Sequence, residues 1–232
     1  RQAYDMGVTA VILPELDRCM ETPQNHPHHC YTVGEHILHS LEGVPAVKDM
    51  RLAMLLHDIG KPWTLETDAE GTTHFHGHPA VSAEMSEEIL RRLKFDNDTI
   101  ATVRRLVEFH DYGNNVKPTP VVVRRAMNRI GRDIFARLLI VKRADIGAQS
   151  AYRRREKLEL VDAWDRVYRG IEAKGQCVSM KDLAVGGRDL IAAGYEPGPR
   201  LGAMLQQMLE HVLEVPEDNT REKLFKIFLK VT

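Results

Sequence analysis

Cysteine is scarce in this sequence: Cys19, Cys30 and Cys177 are the only three in 232 residues, odd in number and in no C-x-x-C pair. That spacing argues against both a disulfide framework and a thiolate zinc site, so these read as ordinary reduced thiols. No apolar run approaches the roughly 18 to 20 residues that cross a bilayer, and no basic segment with a hydrophobic stretch and cleavage site opens the chain. A cytoplasmic protein without a membrane partner is therefore expected. The net charge of −1 lacks the excess of Lys and Arg that announces a nucleic-acid partner, so any RNA surface is a local patch. There is no G-x-G-x-x-G, and Gly60-Lys61-Pro62 lacks the spacing of a phosphate-binding P-loop, which argues against nucleotide triphosphate motors and dinucleotide cofactors. The sequence opens on Arg1 rather than methionine, which reads as a fragment or a processed chain.

What the chain does have is helical periodicity and histidine. Apolar residues recur at helical spacing near 32 to 42, 49 to 59, 79 to 93, 98 to 110, 120 to 129, 132 to 146, 152 to 174 and 199 to 214. Gly60 and Pro62 are expected to close the second of these helices, Pro79 to open the third, and Asp98 to cap the fourth. The only strand-like stretch, Thr72 to His76, is too short to found a sheet. The chain thus reads as all-α, with a break after Ala173 where Gly- and Pro-rich sequence leads into a small helical tail. The expected division is a linker helix and loop over 1–30, a metal-binding domain over 31–175 and a C-terminal tail over 176–232.

Of the eleven histidines only His211 lies beyond His110. Their helical phase gives them meaning, because a buried ionisable group without a partner costs several kcal/mol or shifts its pKa until neutral. Ile134, Leu138 and Val141 form an apolar stripe whose next member is Asp145. His110 continues the stripe of Ile100, Val103 and Val107, and His36 lies beside Val33, Ile37 and Leu41. His57 and Asp58 end the apolar stretch Leu52 to Leu56. A shared cation would satisfy all of these groups together. Mixed imidazole and carboxylate ligands favour one or two divalent transition ions (Mn, Ni, Fe, Co or Zn) over magnesium or calcium. His36, His57, Asp58 and Asp145 form one set, and His78 with His110 could hold a second ion roughly 3.5 to 4 Å away. Asp58, Lys61, His78 and His110 are the candidate catalytic residues, with Lys61 placed to meet a phosphate oxygen. His26, His28 and His29 are expected as a solvated loop cluster, with His29 an outside candidate for lining the site; His74 and His76 as surface residues sharing one face, with substrate contact as the alternative; His39 as helix surface, and Asp111 as a carboxylate that orients His110 or a water.

The order His36, His57-Asp58, Asp145 resembles the HD-domain metal-dependent phosphohydrolases. The words LLHDIGKP at 55 to 62, HFHGHPAVSAE at 74 to 84, EFHD at 108 to 111 and KRADIGAQ at 142 to 149 are similar to the HD region of bacterial CCA-adding tRNA nucleotidyltransferases. VILPELDRC at 11 to 19 resembles their linker and DLAVGGRDLIAAGYEPGPRLGAML at 182 to 205 their tail. The resemblance implies an HD-domain helical bundle with a small helical C-terminal tail, metal bound by His57, Asp58 and Asp145 with His36, His78 and His110, and contact of the tail with tRNA. The only D-x-D, Asp96-Asn97-Asp98, falls at a helix start, so CCA addition by this chain alone is not expected.

The leading expectation is a metal-dependent phosphoric ester hydrolase of the HD type, acting on nucleotide or RNA-end phosphates of the 2′,3′-cyclic or nucleoside monophosphate class. The alternative is the tRNA-binding C-terminal part of a CCA-adding tRNA nucleotidyltransferase with a structural HD domain. A third reading is a nucleotide sensor that binds without turnover. Arg153, Arg154, Arg155 and Lys157, and separately Arg124, Arg125, Arg129 and Arg132, could neutralise phosphates, although acidic residues interleave with the first cluster. Few aromatics accompany either cluster, so base stacking on single strands is not expected.

Overall fold

Apolar stripes at helical spacing have only one another to bury against, and the result is helix on helix. The computed structural model describes residues 1–229 and contains, among them, thirteen α-helices and one two-stranded sheet. The fold is all-α. In chain order the helices are α1 (Gln2–Asp5), α2 (Thr9–Ile12), α3 (Pro14–Glu21), α4 (Val33–Ser40), α5 (Lys48–Leu56), α6 (His78–Arg92), α7 (Asn97–Phe109), α8 (Pro120–Ile130), α9 (Arg132–Ala148), α10 (Arg154–Ala173), α11 (Gly187–Ala192), α12 (Pro199–Glu214) and α13 (Arg221–Phe228). Among these, no helix is long and apolar enough to cross a membrane. β1 (Glu66–Thr67) and β2 (Thr73–His74) pair antiparallel, with Glu66 opposite His74.

The described chain forms two compact units. The first comprises Arg1–Lys117 and Asp133–Ala163. Within it α6 packs along α7, α5 against α7 and α3 against α4. Its core takes in Val33, Ile37, Met54, Leu56, Ile59, Leu106, Val107, Leu138 and Val141, all buried. Local chemistry fixes the helix starts. Thr32 caps α4 by accepting from the Glu35 backbone N–H, and Gly77, at φ +77°, turns the chain into α6 with Pro79 in its first turn. One cap differs from expectation: Asp96, not Asp98, caps α7, accepting from the Thr99 backbone N–H at 2.8 Å and the Thr99 hydroxyl at 2.7 Å. Asp98 sits one residue inside the helix, where its carboxylate cannot reach back to the free N–H groups. After α5 the chain makes a tight turn through Gly60, whose backbone N–H donates to the Ser82 hydroxyl at 2.9 Å. A Cβ there would meet the Ser82 nitrogen at 2.7 Å, so glycine is what allows the His57-Asp58 turn to lie against α6.

The second unit comprises Pro118–Arg132 and the chain from Trp164 onward. Leu190, Met208, Leu209, Val212, Leu213 and Leu224 are the centre of its core. Arg124 is buried there, donating to the Leu213 carbonyl at 2.7 Å and the Glu214 carbonyl at 3.1 Å, which are the last of α12. A cation on terminal carbonyls satisfies them and complements the helix dipole.

Candidate metal centre

Five chain segments of the first unit bring six ligand-type residues together. His36 comes from α4, His57 and Asp58 from the turn after α5, His78 from the first residue of α6, His110 from just past the end of α7, and Asp145 from α9. All but His78, whose side chain is 12% exposed, are buried.

Three of the imidazoles are locked by their own backbones in the same way. His57 Nδ1 lies 2.8 Å from the Met54 carbonyl, His78 Nδ1 2.8 Å from that of Phe75, and His110 Nδ1 2.7 Å from that of Val107, each three residues upstream. A carbonyl only accepts, so each Nδ1 carries a proton and each ring turns its Nε2 inward, the atom that can ligate a cation when unprotonated. These nitrogens converge. His78 Nε2 lies 3.2 Å from His110 Nε2, and His57 Nε2 lies 3.3 Å from His36 Nε2. Asp58 stands between the pairs: Oδ1 is 3.2 Å from His78 and 3.6 Å from His110, and Oδ2 is 3.2 Å from His57 and 3.5 Å from His36. Asp145 Oδ1 closes the His36 side at 2.9 Å.

Lone pairs and carboxylates packed this closely repel unless positive charge lies among them. Lys61 supplies part of it, with Nζ 2.7 Å from Asp58 Oδ2 and donating to the Gln24 side-chain oxygen at 2.9 Å. Yet both Asp58 oxygens and His36 Nδ1 are buried without a directed hydrogen bond. Burial opposes protonation of His57, but the Asp58 and Asp145 carboxylates outweigh it and raise its pKa to about 10. Burial would also raise both carboxyls, whereas His57 with Lys61 holds Asp58 well below the usual range, and His36 with His57 does the same for Asp145. The demand for a proton at His57 is equally a demand for a cation. Two groups have ligand atoms within 4.8 Å of one another, His36-His57-Asp58 and Asp58-His78-His110, with Asp58 common to both. Orphaned buried oxygens and converging imidazole lone pairs fit a divalent ion.

Around the centre, residues without an assigned role in the sequence take supporting positions. Gln149 donates to both Asp145 oxygens at 3.2 Å and accepts from Lys157 Nζ at 2.5 Å. Buried Lys142 donates to the His110 carbonyl at 3.0 Å and to Asn114 at 2.8 Å. Gln149 and Lys142 lie four residues after and three before Asp145, on its helical face, which is a readable signal. Gln24 lies in a loop and offers none. Asp111 Oδ2 approaches His78 at 3.5 Å and His110 at 3.8 Å.

A cavity of about 360 Å³ opens above Asp58, His78, His110 and Asp145. Of the loop histidines, His29 lines this cavity as its outside candidacy allowed, while half-buried His26 and His28 depart from a solvated cluster by lining it too; His74 and the exposed His76 lie at its rim. Burial, then the Lys61 charge, lowers the His29 pKa to about 3. His39 is exposed on α4, stacked on Tyr31 at 4.3 Å.

The arginine clusters are mostly engaged within the protein. Arg124 is buried on α12 and is removed from the phosphate contacts. Arg125 pairs with Glu214 at 2.6 Å, Arg132 with Glu172 at 2.8 Å, and Arg153 with Glu156 at 2.7 Å. Arg154 bonds the carbonyls of Gln149 and Ser150. The D-x-D triple serves α7, since Asp96, besides its capping role, meets Lys48 at 3.1 Å.

Residues 63–228 match the family described as tRNA nucleotidyltransferase domain 2. Among curated relatives, the chain is 31% identical to an A-adding tRNA nucleotidyltransferase of Deinococcus radiodurans, over 88% of this chain and 48% of the relative. It is 30% identical to a CC-adding tRNA nucleotidyltransferase of Thermus thermophilus, over 88% of this chain and 46% of the relative. A multifunctional CCA protein of Azoarcus sp. (strain BH72) is 42% identical over 40% of this chain and 23% of its own length. The chain spans about half the length of the first two. Their names describe transferases, which corrects the expectation of a phosphoric ester hydrolase: a His/Asp centre shows what a site can bind and leaves the reaction open. With the match extending over most of its length, the chain belongs to the tRNA nucleotidyltransferase domain 2 family.

Proposed function

We propose that this chain is the tRNA-binding part of a tRNA nucleotidyltransferase, and that its His/Asp centre holds one or two divalent transition ions in a structural role. The observation that carries the first half is the similarity along 88% of the chain to relatives named for adding A or CC to tRNA. The second half rests on the Nε2 lone pairs that converge on Asp58. When bound, the ion supplies positive charge to the carboxylates and ties together segments remote in sequence. His36, His57, Asp58 and Asp145 would hold one ion, and Asp58 with His78 and His110 would hold a second.

The protein's own residues preorganise this centre. Backbone carbonyls fix three rings, Gln149 orients Asp145, and Lys61 offsets the Asp58 charge. Titrating labelled tRNA at two salt concentrations tests the proposal. Binding that weakens steeply as salt rises is expected, because contacts to phosphate release counterions. No affinity at low salt would exclude the tRNA reading.

A further inference from the structure

Phe, Tyr and Trp are sparse near the basic clusters, but histidine is also a flat ring, and the fold assembles a row of them. Tyr152, in the turn between α9 and α10, lies 4.9 Å from His28 between ring centroids. His28 stacks on His26 at 4.9 Å and 27°, His26 meets His74 edge-on at 6.4 Å, and His74 stacks on His76 at 5.6 Å and 5°. Three separate segments of the first unit thus form one line of rings. It leads from Tyr152, which is 53% exposed, to the rim of the cavity, which His26, His28, His74 and His76 all line.

The row is held in place before any ligand arrives. The Ser150 backbone N–H donates to the His28 carbonyl at 2.9 Å and its hydroxyl to the Pro27 carbonyl at 2.5 Å, tying the histidine loop to the Tyr152 turn. The Tyr152 N–H donates to that same hydroxyl at 3.2 Å. On the other side the Thr73 N–H donates to the Asn25 carbonyl at 3.0 Å, and Asn25 Nδ2 to the Gly71 carbonyl at 2.5 Å, tying the loop to β2. Arg153 holds φ +53°, a left-handed conformation that a non-glycine residue adopts at a cost.

Charge around the row is mixed: Lys157 lies near it, Glu156 pairs with Arg153 at 2.7 Å, and Asp58, Asp111 and Asp145 line the same cavity. Burial first, and then the charge of His74 ahead of Lys157 at His26 and of Lys157 at His28, keeps the two imidazoles below their usual pKa. Asp68 orients His74 through a 2.8 Å contact.

The geometry points to the row Tyr152, His28, His26, His74 and His76 as a docking track for an unpaired RNA segment, whose bases stack on the rings and whose phosphates face Lys157. Single strands offer a π-face at every base and so tolerate a row of this kind, whereas a duplex keeps its bases stacked on one another. The inference rests on the tRNA reading for its partner and specifies which part of that partner meets this surface.

Anisotropy with a short labelled single-stranded RNA, its duplex form, and tRNA with and without its unpaired 3′ end tests it. Tighter binding of the single strand than of the duplex is expected, with about a tenfold loss in Tyr152→Ala and in His76→Ala, both on the exposed side of the fold, and recovery in Tyr152→Phe. Thermal melting of each variant separates a lost contact from a lost fold. Equal affinity for single strand and duplex, or folded ring variants that bind as wild type, overturns the track. If tRNA binds equally well with and without its unpaired end, the track fails while the tRNA reading stands. If the single strand binds and tRNA does not, the track stands and the tRNA reading fails.

Discussion

Asp58 is the residue on which the centre turns, because each of its oxygens faces a different pair of imidazoles. His36 and His110 each belong to one group only. Asp58→Ala is therefore expected to strip metal from both groups, and His110→Ala from one, as read by elemental mass spectrometry of the purified proteins. Unchanged metal content in Asp58→Ala would exclude the centre. Most of its residues were legible in the sequence, because a polar side chain that continues an apolar stripe must meet a partner indoors. Asp145 after Ile134, Leu138 and Val141 is the plainest case. What the sequence hid was Lys61's commitment to Asp58 and Gln24, a contact 37 residues long in sequence and set by a loop. Hidden for the same reason was the joining of the row: the His26–His28 loop and the His74–His76 face were legible as pairs, but their meeting with each other and with Tyr152 depends on three segments remote in sequence.

At the scale of elements, helices of two or more full turns with one apolar face could be read directly, as α4 to α10 and α12 show. The short α1, α2 and α11, of four to six residues each, give a 3.6-residue period too little room to repeat. Nor does periodicity reveal how closely two helices approach. Gly34 in α4 sits against α3, where a Cβ would meet the Met20 backbone nitrogen at 2.6 Å. Gly34→Ala is expected to destabilise the protein by about 1–3 kcal/mol through overpacking. Gly147 in α9 faces open space, and Gly147→Ala is expected to be neutral or slightly stabilising. Urea unfolding of both variants checks the contrast, and equal midpoints would remove the case for a tight α3–α4 crossing. In the second unit, Arg124→Met leaves the last carbonyls of α12 without their donor and is expected to cost about 1–3 kcal/mol, measured the same way.

Across the whole molecule, a cation held by α4, α6, α9 and the segments after α5 and α7 would act as a cross-link that the unfolded chain lacks. An ion present at about 100 times its Kd contributes about 2.7 kcal/mol. Its removal by a chelator is expected to lower the Tm by roughly 5–10 °C for a chain of this size, with recovery on adding metal back. An unchanged Tm would exclude a structural ion. The family could be read from sequence words, but the reaction could not: ligand type and spacing define a metal site and leave open what is brought to it.

Lys157 holds Gln149, and Gln149 holds Asp145, while Tyr152 stands in the turn between Gln149 and Lys157. The same short stretch of backbone therefore carries one end of the ring row and the orienting group of a metal ligand. Thermodynamic reciprocity then constrains the two: by whatever factor a bound ion changes RNA affinity, bound RNA changes ion affinity. A domain built in this way would register its metal status in its grip on RNA.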